Sequence, residues 1–312
     1  MTQATSRADL DARSEVLAGL GIMVVAMLTA PGIDAFAKLL TRHMPAVEVA
    51  LVRFAVQAAL VACIALLTGR LGELRPQRLG GQMARGAALA ATSILFFSAL
   101  KVMPLADALA ITFVEPLILT AMSALILNEP VTGRQWGACG IGFVGALVIV
   151  RPSFAIFGLD ALYPLAAAVT FAAYHLLTRR LAGQSTIIGA QFTTGIAGVV
   201  VVGPVLMLTS GFDIAGQIAV PLIASDLPFI IGIGIISFLS HAMTLMAYER
   251  APANVLAPFG YLEIVSATFL GYVLFGDFPA WPTWIGIALI IGSGIFIVMG
   301  EHAKAVPIKP AE

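Results

Sequence analysis

The sequence predicts an all-α integral membrane protein: ten transmembrane helices arranged as two inverted five-helix repeats. Three observations carry this reading. Hydrophobic residues make up 60% of the 312 residues and charged residues 11%, against roughly 25% charged in a typical soluble chain. That leaves too little polar surface to cover a water-soluble body of this size. Apolar runs about 20 residues long, the length that crosses a bilayer, recur between short polar breaks. The chain also repeats itself, because Pro104, Glu115, Glu129 and Trp136 return 148 positions later as Pro252, Glu263, Asp277 and Trp284.

Taken in order, the spans are predicted at 16–40, 46–68, 84–100, 104–127 and 133–151, then at 159–177, 186–209, 227–248, 252–275 and 281–300. The third run is short because Arg85 and Lys101 bound it. Its repeat mate near Gly234–Tyr248 supports keeping it. Leu39-Leu40-Thr41-Arg42 closes the first span, and Leu176-Leu177-Thr178-Arg179 closes the sixth, an offset of 137. The offset grows later because the second half has a longer connection near Thr209–Asp226. The chain therefore divides into a tail at 1–15, a first repeat at 16–151, a second repeat at 159–300 and a tail at 301–312.

Orientation follows the basic residues, which gather on the cytoplasmic side. With the N-terminus inside, the inner segments hold Arg7, Arg13, Arg70, Arg75, Arg78, Arg85, Arg134, Arg179, Arg180, Arg250, Lys304 and Lys309. The outer segments hold only Lys38, Arg42, Lys101 and Arg151. Both termini are thus expected in the cytoplasm. Five is odd, so the second half inserts upside down relative to the first. Such inverted repeats give one scaffold two related packings, the basis of alternating access.

Composition excludes several classes. Net charge is zero, so no basic footprint for nucleic acid is present. Both cysteines, Cys63 and Cys139, fall in apolar runs and read as small core residues rather than a disulfide. The N-terminal stretch carries Asp9, Asp11 and Glu15, a poor match to a cleaved leader. No Gly-rich phosphate loop, HExxH or G-x-S-x-G motif is present, so neither ATP, nor a catalytic metal, nor any other cofactor is implied.

Ionisable groups inside spans cost about 2.5–3.5 kcal/mol each at a helix centre, so each one present needs a reason. Glu115 and Glu263 fall near the middle of spans 4 and 9. Pro116 follows Glu115, and Pro258 precedes Glu263 by five residues; each proline removes a helical donor and favours a kink. Two readings stay open for these acids. They line a central cavity and hold a substrate donor or a coupling proton, or each hydrogen-bonds a neighbouring helix. Asp34 and Lys38 lie four apart on one face, where they neutralise each other, and Pro31-Gly32 predicts a bend just before them. This pair reads either as part of an external gate or as a structural ion pair. Arg53 shares a face with Gln57 and reads as a gating or structural arginine. His175 follows Tyr174, and His241 sits among Ser237, Ser240 and Thr244; in hydrocarbon their ring nitrogens need partners. Phe96, Phe97, Phe113, Tyr174, Phe259 and Tyr261 offer stacking surfaces for a planar molecule. Gly137, Gly140, Gly142 and Gly145 in span 5, with Gly286, Gly292 and Gly294 in span 10, read as helix packing or homodimer contacts.

These features together resemble the drug/metabolite transporter superfamily, in its ten-span EamA type. The residues that carry the resemblance are Asp34–Leu40 and Val52-Arg53-Phe54 in the first two spans. Pro104 through Pro116, Asn128-Glu129-Pro130 and Gly142–Pro152 add the strongest match. The resemblance covers about residues 16–300. It implies a secondary transporter of the bacterial inner membrane, with spans 1, 3, 4, 6, 8 and 9 around a central cavity and spans 5 and 10 at the periphery. Glu115, Phe113, His175, His241 and Glu263 would then face the cavity. Asp34, Lys38 and Arg53 look most like the subgroup that takes up riboflavin or S-adenosylmethionine. The expectation is therefore riboflavin uptake, with S-adenosylmethionine uptake or export of amino acids or drugs as alternatives. A membrane enzyme or structural helical subunit is the remaining reading from another class. The expected partners are a small molecule and the lipid bilayer, with no nucleic acid.

Overall fold

A computed structural model describes residues 2–75, 78–126, 157–181, 184–212, 217–250 and 262–279, with scattered positions between 133 and 148 and between 281 and 292. The elements among them are helical. They run α1 (Thr2–Thr29), α2 (Pro31–Leu40), α3 (Ala46–Leu67), α4 (Leu79–Val102), α5 (Leu105–Thr112), α6 (Glu115–Ile126), α7 (Leu162–Arg180), α8 (Ile187–Gly211), α9 (Leu227–Arg250) and α10 (Leu262–Phe275). Six stretches are long and apolar enough to cross a membrane: Leu17–Leu40, Ala46–Leu67, Leu79–Val102, Gly158–Thr178, Ile187–Gly211 and Leu227–Ala247. α10 is a shorter apolar helix. Predicted spans 5 and 10, and the first part of span 9 with Pro258, Phe259 and Tyr261, lie wholly or largely outside the described residues.

Two predicted spans are broken, each next to a proline. The first is divided at Ala30. Pro31 has no N–H to offer the Met27 carbonyl, and it opens α2 as an N-terminal residue, where the missing donor costs least. The fourth is divided at Phe113-Val114, where the backbone tightens through Val114 N–H to the Ile111 carbonyl at 3.2 Å. Pro116 cannot donate to the Thr112 carbonyl, so the ladder stops there and restarts at Glu115. In contrast, the short third run is a full helix: α4 begins well before Arg85 because that arginine is buried and bonded rather than excluded.

The two halves interleave. The most extensive packing sets α3 on α8, α4 on α7 and α8, and α1 on α9, so first-half helices lie chiefly against second-half helices. Lipid is as apolar as leucine, so close contact rather than water exclusion holds such helices together. Small residues permit it: a Cβ on Gly198 would stand 2.1 Å from the Phe54 ring, and one on Gly86 would stand 2.4 Å from the Ala197 Cβ. Phe54, Phe97, Leu40, Met44, Leu100 and Leu105 fill the core at these contacts. Of the glycines read as packing or homodimer contacts in spans 5 and 10, Gly145 and Gly286 are buried. Gly137, Gly140 and Gly292 have nothing within 4 Å of a Cβ position, so they face outward from this chain. Cys63 is also exposed, which corrects its assignment to the core; a thiol is apolar enough to face hydrocarbon. Cys139 lies outside the described residues. On the predicted inner side, Arg70 bonds Glu73 at 2.6 Å and holds its carboxyl below the usual range.

Candidate functional site: a polar cluster at mid-bundle

Seven helices bring polar side chains to the middle of the bundle. Arg53 of α3 lies at their centre and is 4% exposed. Its Nε donates to Ser237 Oγ on α9 at 2.9 Å, and a terminal nitrogen donates to Ser93 Oγ on α4 at 2.5 Å. The guanidinium also lies over the Phe54 ring, 5.0 Å from its centroid, and near Phe97 at 5.8 Å. Arg53 thus pairs with other helices and does not snorkel. Phe96 and Phe97 pack the core instead of offering a free stacking face.

Around Arg53 stand the acids. Asp34 of α2 lies within reach of the Arg53 charge. Glu263 is the second residue of α10, between Leu262, packed near Met23 and Met27, and Ile264, packed on Ala110, Ile111 and Val114. Glu115 follows Val114 directly, and Glu263 lies within reach of the charges of both Asp34 and Glu115. Glu115 is 9% exposed, and its Oε1 is buried without a hydrogen-bond partner. The α5–α6 break thus places this acid at the first residue of a half-helix, where backbone N–H groups are free of helical partners.

Aromatic and imidazole rings join the cluster. Phe171 and Tyr174 lie parallel with centroids 5.8 Å apart, and His175 stands edge-on to Phe171 at 4.5 Å. Tyr174 meets His241 edge-on at 6.4 Å. His241 Nδ1 donates to the Ser237 carbonyl at 2.8 Å, which fixes the ring and orients Nε2. Asp34, Phe113, Phe171, His175, His241 and Glu263 are each partly exposed, although they sit within the bundle. The seven predicted residues Asp34, Arg53, Glu115, Tyr174, His175, His241 and Glu263 therefore gather in one region.

One predicted pairing is replaced. Lys38 was expected to neutralise Asp34, but its Nζ reaches Asp277 instead and also donates to the Met103 carbonyl at 3.3 Å. Lys38 lies over the Phe275 ring at 4.8 Å, and Arg42 flanks the same ring at 5.4 Å. A long lysine stem bends readily toward the nearest unpaired carboxylate, and the turn after α10 supplies one. Near the same end His43 bonds Asp226 at 2.8 Å, and Glu48 accepts from the Val220 N–H at 2.9 Å. Each contact ties the first half to the second. In sequence Asp277 stands out only as the repeat mate of Glu129; its place just after the predicted ninth span was the signal that could have paired it with Lys38. Ser93, whose hydroxyl holds Arg53, carries no signal in the sequence, and Arg85, which reads there only as a cation bounding the third run, donates to Thr194 Oγ1 at 3.0 Å and to the Ala190 carbonyl at 2.8 Å.

A helical chain with broken spans and an acid at the break has the anatomy of a transporter. The model of the EamA-like transporter family matches residues 17–151 and again residues 159–299. The chain belongs to the EamA-like transporter family. It is a transmembrane transporter of a small metabolite. An S-adenosylmethionine uptake transporter of Rickettsia felis is 26% identical over 298 residues, covering 93% of this chain and 96% of that protein. A riboflavin transporter of Vibrio cholerae is 26% identical over 265 residues, covering 84% and 86%. A solved crystal structure at 20% identity superposes with a TM-score of 0.64 over 93% of this chain and 99% of that one, which supports the fold.

Proposed function

We propose that this member is a secondary carrier that takes up a planar, partly polar metabolite, riboflavin or S-adenosylmethionine, by alternating access. The observation that carries the proposal is the mid-bundle cluster. Its acids and imidazoles stand beside stacked rings at the level where inverted-repeat carriers bind their substrates. The named relatives support the substrate class, and the S-adenosylmethionine uptake transporter supports the inward direction. In this reading ten spans form the repeats 16–151 and 159–300, both termini are cytoplasmic, and the membrane is the bacterial inner membrane. Glu115, Glu263, His175, His241, Phe113 and Tyr174 line the substrate or proton path. Lys38, Asp277 and Arg42 around Phe275 close the outer end, and Asp34 and Arg53 lie just beneath.

The test is uptake of labelled riboflavin and labelled S-adenosylmethionine by bacteria auxotrophic for each and expressing the full chain. Saturable accumulation of either metabolite, unchanged chemically inside the cell, is the expected result. No accumulation of either, with the protein shown to be in the membrane, would overturn the substrate class.

A further inference from the structure

The charges at the cluster separate the two candidate metabolites. Asp34, Glu115 and Glu263 come from three different helical segments and converge on one region. A carboxylate at mid-span needs either a proton or a cation close by, because hydrocarbon does not solvate it. Arg53 faces Asp34 but is almost fully enclosed, held by Ser93 and Ser237 between two phenyl rings. Arg85, the next cation inward, is spent on Thr194 and the Ala190 carbonyl. The groups a substrate would meet at the partly exposed positions Asp34 and Glu263 are therefore carboxyls.

A second observation points the same way. Glu115 Oε1 is enclosed yet receives no hydrogen bond from the protein. A buried acceptor left unpaired costs about 1–3 kcal/mol, and more when it is charged. Glu263, within charge range of it, is also an acid. Across the cluster stand the Phe171, Tyr174, His175 and His241 rings. Ring faces attract cations, and they also stack on planar heterocycles.

We propose that this site selects an organic cation, and that it takes S-adenosylmethionine through its sulfonium and ammonium groups in preference to neutral riboflavin. The acids receive the positive centres, and the rings receive the adenine. This rests on the transport reading above, which stands or falls separately.

The experiment compares two molecules that differ by one methyl group and one positive charge: S-adenosylmethionine and its thioether, S-adenosylhomocysteine. Uptake of labelled S-adenosylmethionine by the full chain in proteoliposomes is competed with each unlabelled compound and with riboflavin. The sulfonium should compete at about tenfold lower concentration than the thioether, the ratio that one charge–carboxylate contact of modest strength provides. In Glu263→Gln, and separately in Asp34→Asn, that ratio should shrink toward one. Equal potency of the two compounds in the wild type overturns the proposal, and so does riboflavin entering without competition from S-adenosylmethionine, although uptake then survives as a function. If neither metabolite enters, the transport reading fails. Melting of the detergent-purified wild type with each compound then decides: stabilisation by the sulfonium above the thioether supports cation selection, and equal or absent stabilisation overturns it.

Discussion

Asp277→Asn removes the charge that holds Lys38 and should loosen this end of the bundle, the outer one in the proposed orientation. The pair is partly buried, with side chains 14% and 26% exposed. Exposed pairs contribute up to about 1 kcal/mol, and breaking a fully buried one costs about 3–5 kcal/mol, so this pair falls near ~2 kcal/mol. If the pair forms only when the outer end is closed, its loss raises the open-to-closed ratio by about 30-fold. Gly271 gives a reporter position. A Cβ there would stand 3.7 Å from the Asp277 carbonyl and 3.9 Å from the Leu105 Cβ, ordinary contact distances just beneath the latch. A Gly271→Cys variant, with Cys63 and Cys139 replaced by alanine, should react slowly with a membrane-impermeant maleimide added outside intact cells. Adding Asp277→Asn should speed the reaction by roughly that 30-fold factor. Combining Lys38→Asp with Asp277→Lys should return it toward the slow rate. An unchanged rate in Asp277→Asn, or a double exchange as fast as the single variant, would refute the latch.

Four further outcomes follow from the same geometry. Glu115→Gln should insert normally but reduce labelled-substrate uptake to background, and wild-type uptake with wild-type pH dependence would remove this acid from the pathway. Ser237→Ala leaves the Arg53 Nε without its acceptor, which should lower stability by about 1.5–3 kcal/mol, read as a lower melting temperature in detergent. Gly198→Ala drives a methyl into the fully buried Phe54 ring and should cost at least about 1–3 kcal/mol, whereas Gly140→Ala, with open space around it, should leave melting unchanged. Pro116→Ala restores a donor for the Thr112 carbonyl and should stabilise the chain by up to about 3 kcal/mol while slowing transport; faster transport would show that the α5–α6 break is not needed.

The membrane class, the positions of the long helices and the break before Asp34 were legible in the sequence. Hydropathy and proline act locally: an apolar run of sufficient length must bury itself in lipid, and a missing N–H interrupts its own helix wherever the chain goes. The same local logic marked Glu115, Glu263, His175 and His241, because an ionisable group inside a span is expensive and needs a partner. It could not name the partners. Lys38 is bound to Asp277 across 239 positions and not to Asp34 at four, since the helix face fixes only where a lysine starts and its long stem reaches whatever carboxylate another helix brings. Arg53 is held by Ser93 and Ser237, two hydroxyls with no distinctive pattern in sequence. Cys63 faces outward because an apolar thiol suits lipid as well as a core, and composition does not separate the two. Which helices of one half lie against the other is set by glycines such as Gly198 and Gly86 meeting particular side chains, and that fit exists only once the chain has packed.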